Sequence, residues 1–188
     1  MTNNEDFLIT IEEFDRCIGK LKETITQDLH CKDRSLDFKI SNLRIKEVCN
    51  QLVVFVYLTT IKNGNSVGIE FTVSFDRFYI VPIFNFRIYI NTKLIFDLED
   101  LKKYICLEED VDILLTDHHI LQNPWFQIHP CETSNTMKEH LMTYYEGNGR
   151  DLKIDSHDEF TLNYLKIWFN LYGLPSVLQE FSLRSTIL

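Results

Sequence analysis

Residues 52 to 90 limit the fold more than any other stretch of the chain. Leu52–Leu58 is apolar and β-branched throughout, the pattern of a strand covered on both faces. Lys62-Asn63-Gly64-Asn65 is a tight-turn signal, and beyond it Val67, Ile69, Phe71, Val73 and Phe75 keep a clean period of two. A break at Asp76-Arg77 leads into Tyr79–Ile90, a third strand whose Pro82 must avoid a ladder position that needs its missing N–H. Three strands joined by short turns make an antiparallel meander. Leu36, Phe38 and Ile40, then Leu43 and Ile45 after a shift of phase, place another strand ahead of them. A sheet of about four strands is therefore expected over residues 36–90.

The flanking segments read as helices. Phe7, Ile11, Phe14, Ile18, Leu21 and Ile25 form one apolar stripe, which predicts an amphipathic helix over residues 6–27. Asp97 can cap a short helix reaching Tyr104 and Ile105. Ser134 is expected to cap a helix with Met137, Leu141 and Tyr144 on one face, closed by Gly147. Phe160–Leu174 is apolar nearly all round but interrupted by Asn163, Lys166 and Asn170, so it predicts a buried helix rather than a bilayer span. Asp117–Glu132 shows no periodicity over its full length. The expectation is one α+β domain over residues 1–188, with a site-bearing loop at 117–133 and helices over 134–174.

Composition narrows the function classes. A chain of 188 residues with 45% hydrophobic content can bury a core without a disulfide or metal staple. A net charge of −9 argues against a nucleic-acid grip and against docking on anionic lipid through a polybasic patch. Five cysteines is an odd number, and the opening MTNNEDFLIT lacks the features of a signal peptide. Free thiols in a reducing cytosolic or nuclear compartment follow as the expectation. Glycine-rich nucleotide motifs, G-x-S-x-G and C-x-x-C are absent from the sequence.

The chemistry-bearing residues gather in Leu121–Glu132, LQNPWFQIHPCE. Cys131 follows a proline and lies just before an expected helix start, where unpaired N–H groups favour a thiolate, the form that attacks a carbonyl. His129 is close in sequence, and Asn123 upstream could offer an amide N–H to an oxyanion. A buried structural cysteine is the competing reading. Cys17 and Cys49 lie beside apolar segments and read as structural, Cys106 as inert at a helix end, and Cys31 as a rival thiol in a loop. His118, His119, His129, Cys131 and His140 are zinc-ligand types, but their spacing does not pair. Glu108, Glu109, Asp110, Asp112 and Asp117 read as a solvated surface, or more sharply as a landing site for a basic partner. Tyr57 and Tyr79 read as core aromatics.

His129-Pro130-Cys131-Glu132-Thr133, read with three other stretches, resembles the autophagy E2-like conjugating enzymes. Ser74-Phe75-Asp76-Arg77-Phe78-Tyr79-Ile80-Val81-Pro82 looks like that family's paired-aromatic strand leading into a Y-x-x-P segment. Thr116-Asp117-His118-His119-Ile120-Leu121 is similar to the His-bearing run before its HPC motif, and Asn163-Tyr164-Leu165 with Trp168 to its closing helix. A sister branch, which acts on a lipid-conjugated modifier, follows its cysteine with an R-H pair and is longer. This chain departs from that branch on both counts.

The resemblance implies an E2-like fold and a thioester relay without cofactor or metal. An E1-like enzyme, autophagy-related protein 7, would pass the ubiquitin-like autophagy-related protein 12 to Cys131, for transfer to a lysine of autophagy-related protein 5. It also implies a cytoplasmic enzyme recruited to the pre-autophagosomal structure. Ubiquitin-type E2 enzymes supply an oxyanion donor from an HPN motif that this chain lacks; Asn123 occupies an equivalent stretch. Tyr57 and His129 are further candidates for shaping the site. The competing expectations are a cysteine hydrolase of modifier conjugates with His140 or His157 as base, and an adaptor with an unreactive Cys131.

Overall fold

Thr10 decides where the first helix begins. Its hydroxyl accepts from the Glu13 N–H, and the Glu13 carboxylate accepts from the Thr10 N–H at 2.6 Å, a reciprocal cap. Helix α1 (Ile11–Asp28) therefore starts later than its apolar stripe implied, and Phe7 is buried ahead of the helix rather than within it. Strand β1 (Leu29–Cys31) follows directly, so Cys31 is half-buried in a strand and not in a loop. The computed structural model describes residues 7–32, 37–104, 112–147 and 156–184. Leu36, Cys106, Glu108, Glu109, Asp110 and residues 148–155 of the expected linker lie outside the described residues.

The meander forms as β2 (Phe38–Val48), β3 (Gln51–Lys62), β4 (Asn65–Asp76) and β5 (Val81–Ile90), each antiparallel to the next. Cys49-Asn50 and Asn63-Gly64 turn the first two hairpins with positive φ at both positions, which suits the twist of the strands. Cys49 is exposed in its turn, which corrects the structural role its apolar neighbours suggested. Pro82 faces Phe75 across the ladder, and the Phe75 carbonyl accepts from the Gln51 side chain on the β3 side. Pro82 therefore sits at a non-hydrogen-bonded pair, with its nitrogen turned away from β4. On that side no described strand pairs with β5 before Asn85.

Beyond the meander come β6 (Lys93–Leu94), α2 (Leu98–Lys102, capped by the Asp97 carboxylate), β7 (Ile113–Asp117) and β8 (Pro124–Ile128). These make a seven-stranded sheet in the order β2-β3-β4-β5-β8-β7, with β6 paired to β5. The expectation of about four strands, with a loop over 117–133, is thus corrected. The added strands hide in the sequence because Pro124 opens β8 and because β7 buries Ile113 while exposing both Leu114 and Leu115, which erases the period of two.

The chain continues through α3 (Thr133–Gly147), α4 (His157–Tyr172), α5 (Leu174–Val177) and β9 (Phe181–Leu183), which pairs with β1. Met137, Leu141 and Tyr145 form the buried face of α3, with Tyr145 in the place expected of Tyr144. Ser156 caps α4, whose Leu165, Trp168 and Phe169 are buried with Phe14 and Ile18 of α1 against Phe71 and Phe84 of the sheet. Each such side chain contributes roughly 1.5–3 kcal/mol relative to exposure. The opposite face of the sheet is partly covered by the β7–β8 connection, which buries His118 and Ile120 beside Trp125. Among the described residues no helix is long and apolar enough to cross a membrane.

Candidate active site

A strand end, a proline and a helix start meet at Cys131. The His129 N–H donates to the Asp112 carbonyl at 2.9 Å, which carries the β7–β8 ladder one residue past Ile128. Pro130 is buried and has no N–H with which to continue a strand. Its carbonyl accepts from the Thr133 N–H at 3.1 Å, and the Glu132 carbonyl accepts from the Thr136 N–H at 3.0 Å. Helix α3 therefore begins at Thr133, with Ser134 inside its first turn rather than capping it. Cys131 is exposed at this junction, and its N–H donates to Nδ1 of His129 at 3.3 Å. Since Nδ1 accepts, a neutral His129 ring carries its proton on Nε2.

Two tyrosines border this junction. The Tyr79 ring stands edge-on to the His129 ring, with centroids 5.9 Å apart. Tyr79 belongs to the β4–β5 turn, where the Asp76 carboxylate accepts from the N–H groups of Phe78 and Tyr79 at 2.7 and 2.9 Å. In that turn Ile80 holds φ at 56°, a left-handed conformation that costs a β-branched residue about 1–3 kcal/mol. Tyr79 is exposed, not a core aromatic as its sequence context suggested. From the other side comes Tyr172, at the end of α4. Its hydroxyl comes within reach of the Thr136 and Thr133 side chains in the first turn of α3, and Glu132 and Cys131 act on it electrostatically. Burial, foremost, pushes the Tyr172 hydroxyl above its ordinary pKa, and the threonine side chains oppose the rise.

Of the candidate catalytic residues named from the sequence, His129 is brought to Cys131, while Asn123 and Tyr57 are not. Asn123 immediately precedes β8, and the five residues of that strand, a span on the order of 20 Å, separate it from His129 at the other end. Its side-chain oxygen accepts from the Trp125 indole N–H at 2.7 Å. Tyr57 of β3 pairs with Glu70 of β4, and its hydroxyl lies over Gly68, where a Cβ would come within 2.5 Å. That position faces Arg87 of β5 through Glu70, well along the sheet from Val81, the end of β5 near Cys131. His157 pairs with Glu13 at the start of α4, about 22 Å of helix from Tyr172. His140 lies further along α3 than the first turn.

His118 serves the fold. Its Nδ1 accepts from the Ile120 N–H at 3.1 Å and the Leu121 N–H at 3.4 Å, which leaves Nε2–H to donate to the Thr72 hydroxyl at 2.9 Å. Burial, with His119 and Arg87 adding to it, pushes its pKa down to about 3. Among the described residues no three His, Cys, Asp or Glu side chains come together in a way that could hold a metal ion. Nothing in the local pattern marks Tyr172, and Asp112, read from the sequence as part of an acidic surface, enters the site through its backbone carbonyl; both parts depend on chain segments meeting in space.

An exposed thiol between a sheet strand and a helix start, on an antiparallel sheet backed by helices, has the layout of an E2-like conjugating enzyme. The family model described as autophagocytosis associated protein, active-site domain, matches residues 7–182, and the chain belongs to that family. The ubiquitin-like-conjugating enzyme ATG10 of Candida albicans is 33% identical over 184 residues, which cover 96% of this chain and 94% of that one. The enzyme of the same name from Dictyostelium discoideum is 38% identical over 61 residues, covering 32% of this chain and 25% of its own length. Two solved structures are similar at lower identity. The solution structures of KmAtg10 align over 90% of this chain and 99% of theirs, with 17% identity and a TM-score of 0.47. The crystal structure of autophagic E2, Atg10, aligns over 92% and 98%, with 16% identity and a TM-score of 0.44. The chain is thus an E2-like enzyme of ubiquitin-like conjugation in autophagy.

Proposed function

We propose that the chain carries the ubiquitin-like autophagy-related protein 12 as a glycyl thioester on Cys131 and transfers it to a lysine of autophagy-related protein 5. The observation that supports this most is the exposure of Cys131 at a strand-to-helix turn, tied to His129 and bordered by Tyr79 and Tyr172. An adaptor with a retired thiol would have no reason to keep it exposed. A hydrolase with His140 or His157 as base would need that ring at the sulfur, and His157 is a helix length away while His140 lies beyond the first turn of α3.

In the relay, an E1-like enzyme, autophagy-related protein 7, presents the modifier as its own thioester. The Cys131 thiolate attacks the glycine carbonyl, a new C–S bond forms, and the E1 thiolate leaves. The acceptor amine then attacks the same carbonyl, an amide forms, and the Cys131 thiolate departs while the amine proton passes to solvent. Activation happens upstream, so neither ATP nor a cofactor enters this step. A thiol-bearing enzyme of this kind works in a reducing cytoplasm, recruited to the pre-autophagosomal structure. The test is reconstitution with the E1-like enzyme and modifier: a thiol-labile adduct on Cys131 that disappears when the acceptor protein is added supports the reading. An adduct that persists unchanged in the presence of acceptor contradicts it.

A further inference from the structure

The two edges of the large sheet are finished differently. Strand β2 lines one edge with Lys39, Arg44, Lys46 and Glu47, charges of the kind that keep other chains from pairing. Strand β7 forms the other, and it exposes Leu114 and Leu115 with no charged side chain before Asp117. The hydrogen bonds at the two ends of the β7–β8 ladder fix which groups point outward. His129 N–H bonds Asp112, and His118 N–H bonds Asn123, so the even-numbered residues of β7 face β8. Ile113, Leu115 and Asp117 therefore turn their N–H and C=O groups toward the open edge. Among the described residues no strand pairs with that edge.

The open edge starts at the reactive turn, because Asp112, which precedes β7, holds His129. We propose that the β7 edge receives the extended C-terminal tail of the ubiquitin-like modifier as an added antiparallel strand, delivering its terminal glycine to Cys131. The inference rests on the reading that Cys131 carries the modifier. Direction and reach both fit. A strand antiparallel to β7 runs from Asp117 toward Ile113 and so ends at the Cys131 side of the sheet. An added strand lies two strand spacings from β8, about 10 Å, and three extended residues cross that gap. Backbone pairing supplies affinity, and the exposed leucines select apolar side chains on the tail.

The test uses the full chain with the E1-like enzyme and activated modifier. Leu115→Pro deletes one outward N–H while leaving the bonds to β8 intact, and Leu115→Thr removes the same leucine but keeps that N–H. Thioester loading is expected to fall about tenfold for the proline variant, several-fold more than for the threonine variant, as one lost backbone bond implies. Alkylation of Cys131 by iodoacetamide reports in each variant whether the reactive turn is intact. Equal loading of the two variants would overturn the inference. Should the proline variant unfold, pulsed hydrogen exchange on the loaded wild-type protein decides: protection of the Leu115 and Asp117 amides on loading supports the added strand, and its absence overturns it. Protection that is already present without modifier and rises with protein concentration would assign the edge to a second copy, which also overturns it. Reducible loading of a Cys131→Ser variant would instead remove the underlying reading, so the two failures are distinguishable.

Discussion

The N–H of Cys131 donates to Nδ1 of His129 at 3.3 Å, so the residues on either side of Pro130 are tied to each other across it. This bond, with the one from His129 N–H to Asp112, holds the thiol at a fixed place between sheet and helix. His129→Ala should slow thioester loading about fivefold, the worth of one hydrogen bond of about 1 kcal/mol. His129→Asn, whose side-chain oxygen can also accept, should recover part of the loss in single-turnover loading assays. Equal rates for both variants would separate the ring from the positioning of Cys131.

Gly173 follows Tyr172 at the end of α4, and a Cβ there would meet the Phe169 carbonyl at 2.4 Å and the Phe169 ring at 2.8 Å. Backbone and a buried ring cannot both give way. Gly173→Ala should therefore destabilise the fold by roughly 1–3 kcal/mol and displace the Tyr172 hydroxyl from Thr133 and Thr136. Denaturant melts measure the first effect, and the rate of Cys131 alkylation in the folded variant measures the second. An unchanged melt would show that this helix end can relax.

His118 should make the fold acid-sensitive. Its pKa is lowered from 6.5 to about 3, so folding holds the ring neutral and loses stability as pH falls from about 6.5 toward 3. The loss is up to about 1.4 kcal/mol per pH unit within that window. Protonation would also end the acceptor role of Nδ1 toward Ile120 and Leu121. Compared with His118→Gln by denaturant titration between pH 7 and 5, the wild-type protein should show the steeper decline. Parallel curves would exonerate this residue.

Asn123 and Tyr57 are held at a distance from the thiol. Asn123→Ala should lose the bond to Trp125 and about 1 kcal/mol of stability, while transfer from a preloaded thioester changes less than about twofold. Tyr57→Phe should likewise spare transfer. A true oxyanion donor would cost about 2–4 kcal/mol in the transfer step, so a drop of a hundredfold or more in either variant would bring that residue into the chemistry.

The meander, α1 and the buried α4 were legible in the sequence because each carries a long hydrophobic period, and Asn63-Gly64 marked its own turn. Pro130-Cys131 stood out because a thiol after a proline and before a helix is a local pattern. Other features depended on partners distant in sequence. Pro124–Ile128 is a strand because β5 offers Asn85 and Phe86 to pair with, and Ile113–Asp117 because it pairs in turn with Pro124–Ile128, not because either alternates. Asn123 looked close to Cys131 in sequence, yet an extended strand puts the full length of β8 between them. Tyr172 comes near the first turn of α3 because α3 and α4 pack together, a contact no local pattern encodes.

The central claim is that Cys131 carries the modifier. Loading of the wild-type chain and Cys131→Ser by the E1-like enzyme and activated modifier, run with and without reductant on a denaturing gel, tests it most directly. The account predicts a reductant-labile adduct on the wild-type chain, and on the serine variant either no adduct or one that resists reductant. A normal reductant-labile adduct on Cys131→Ser would contradict it.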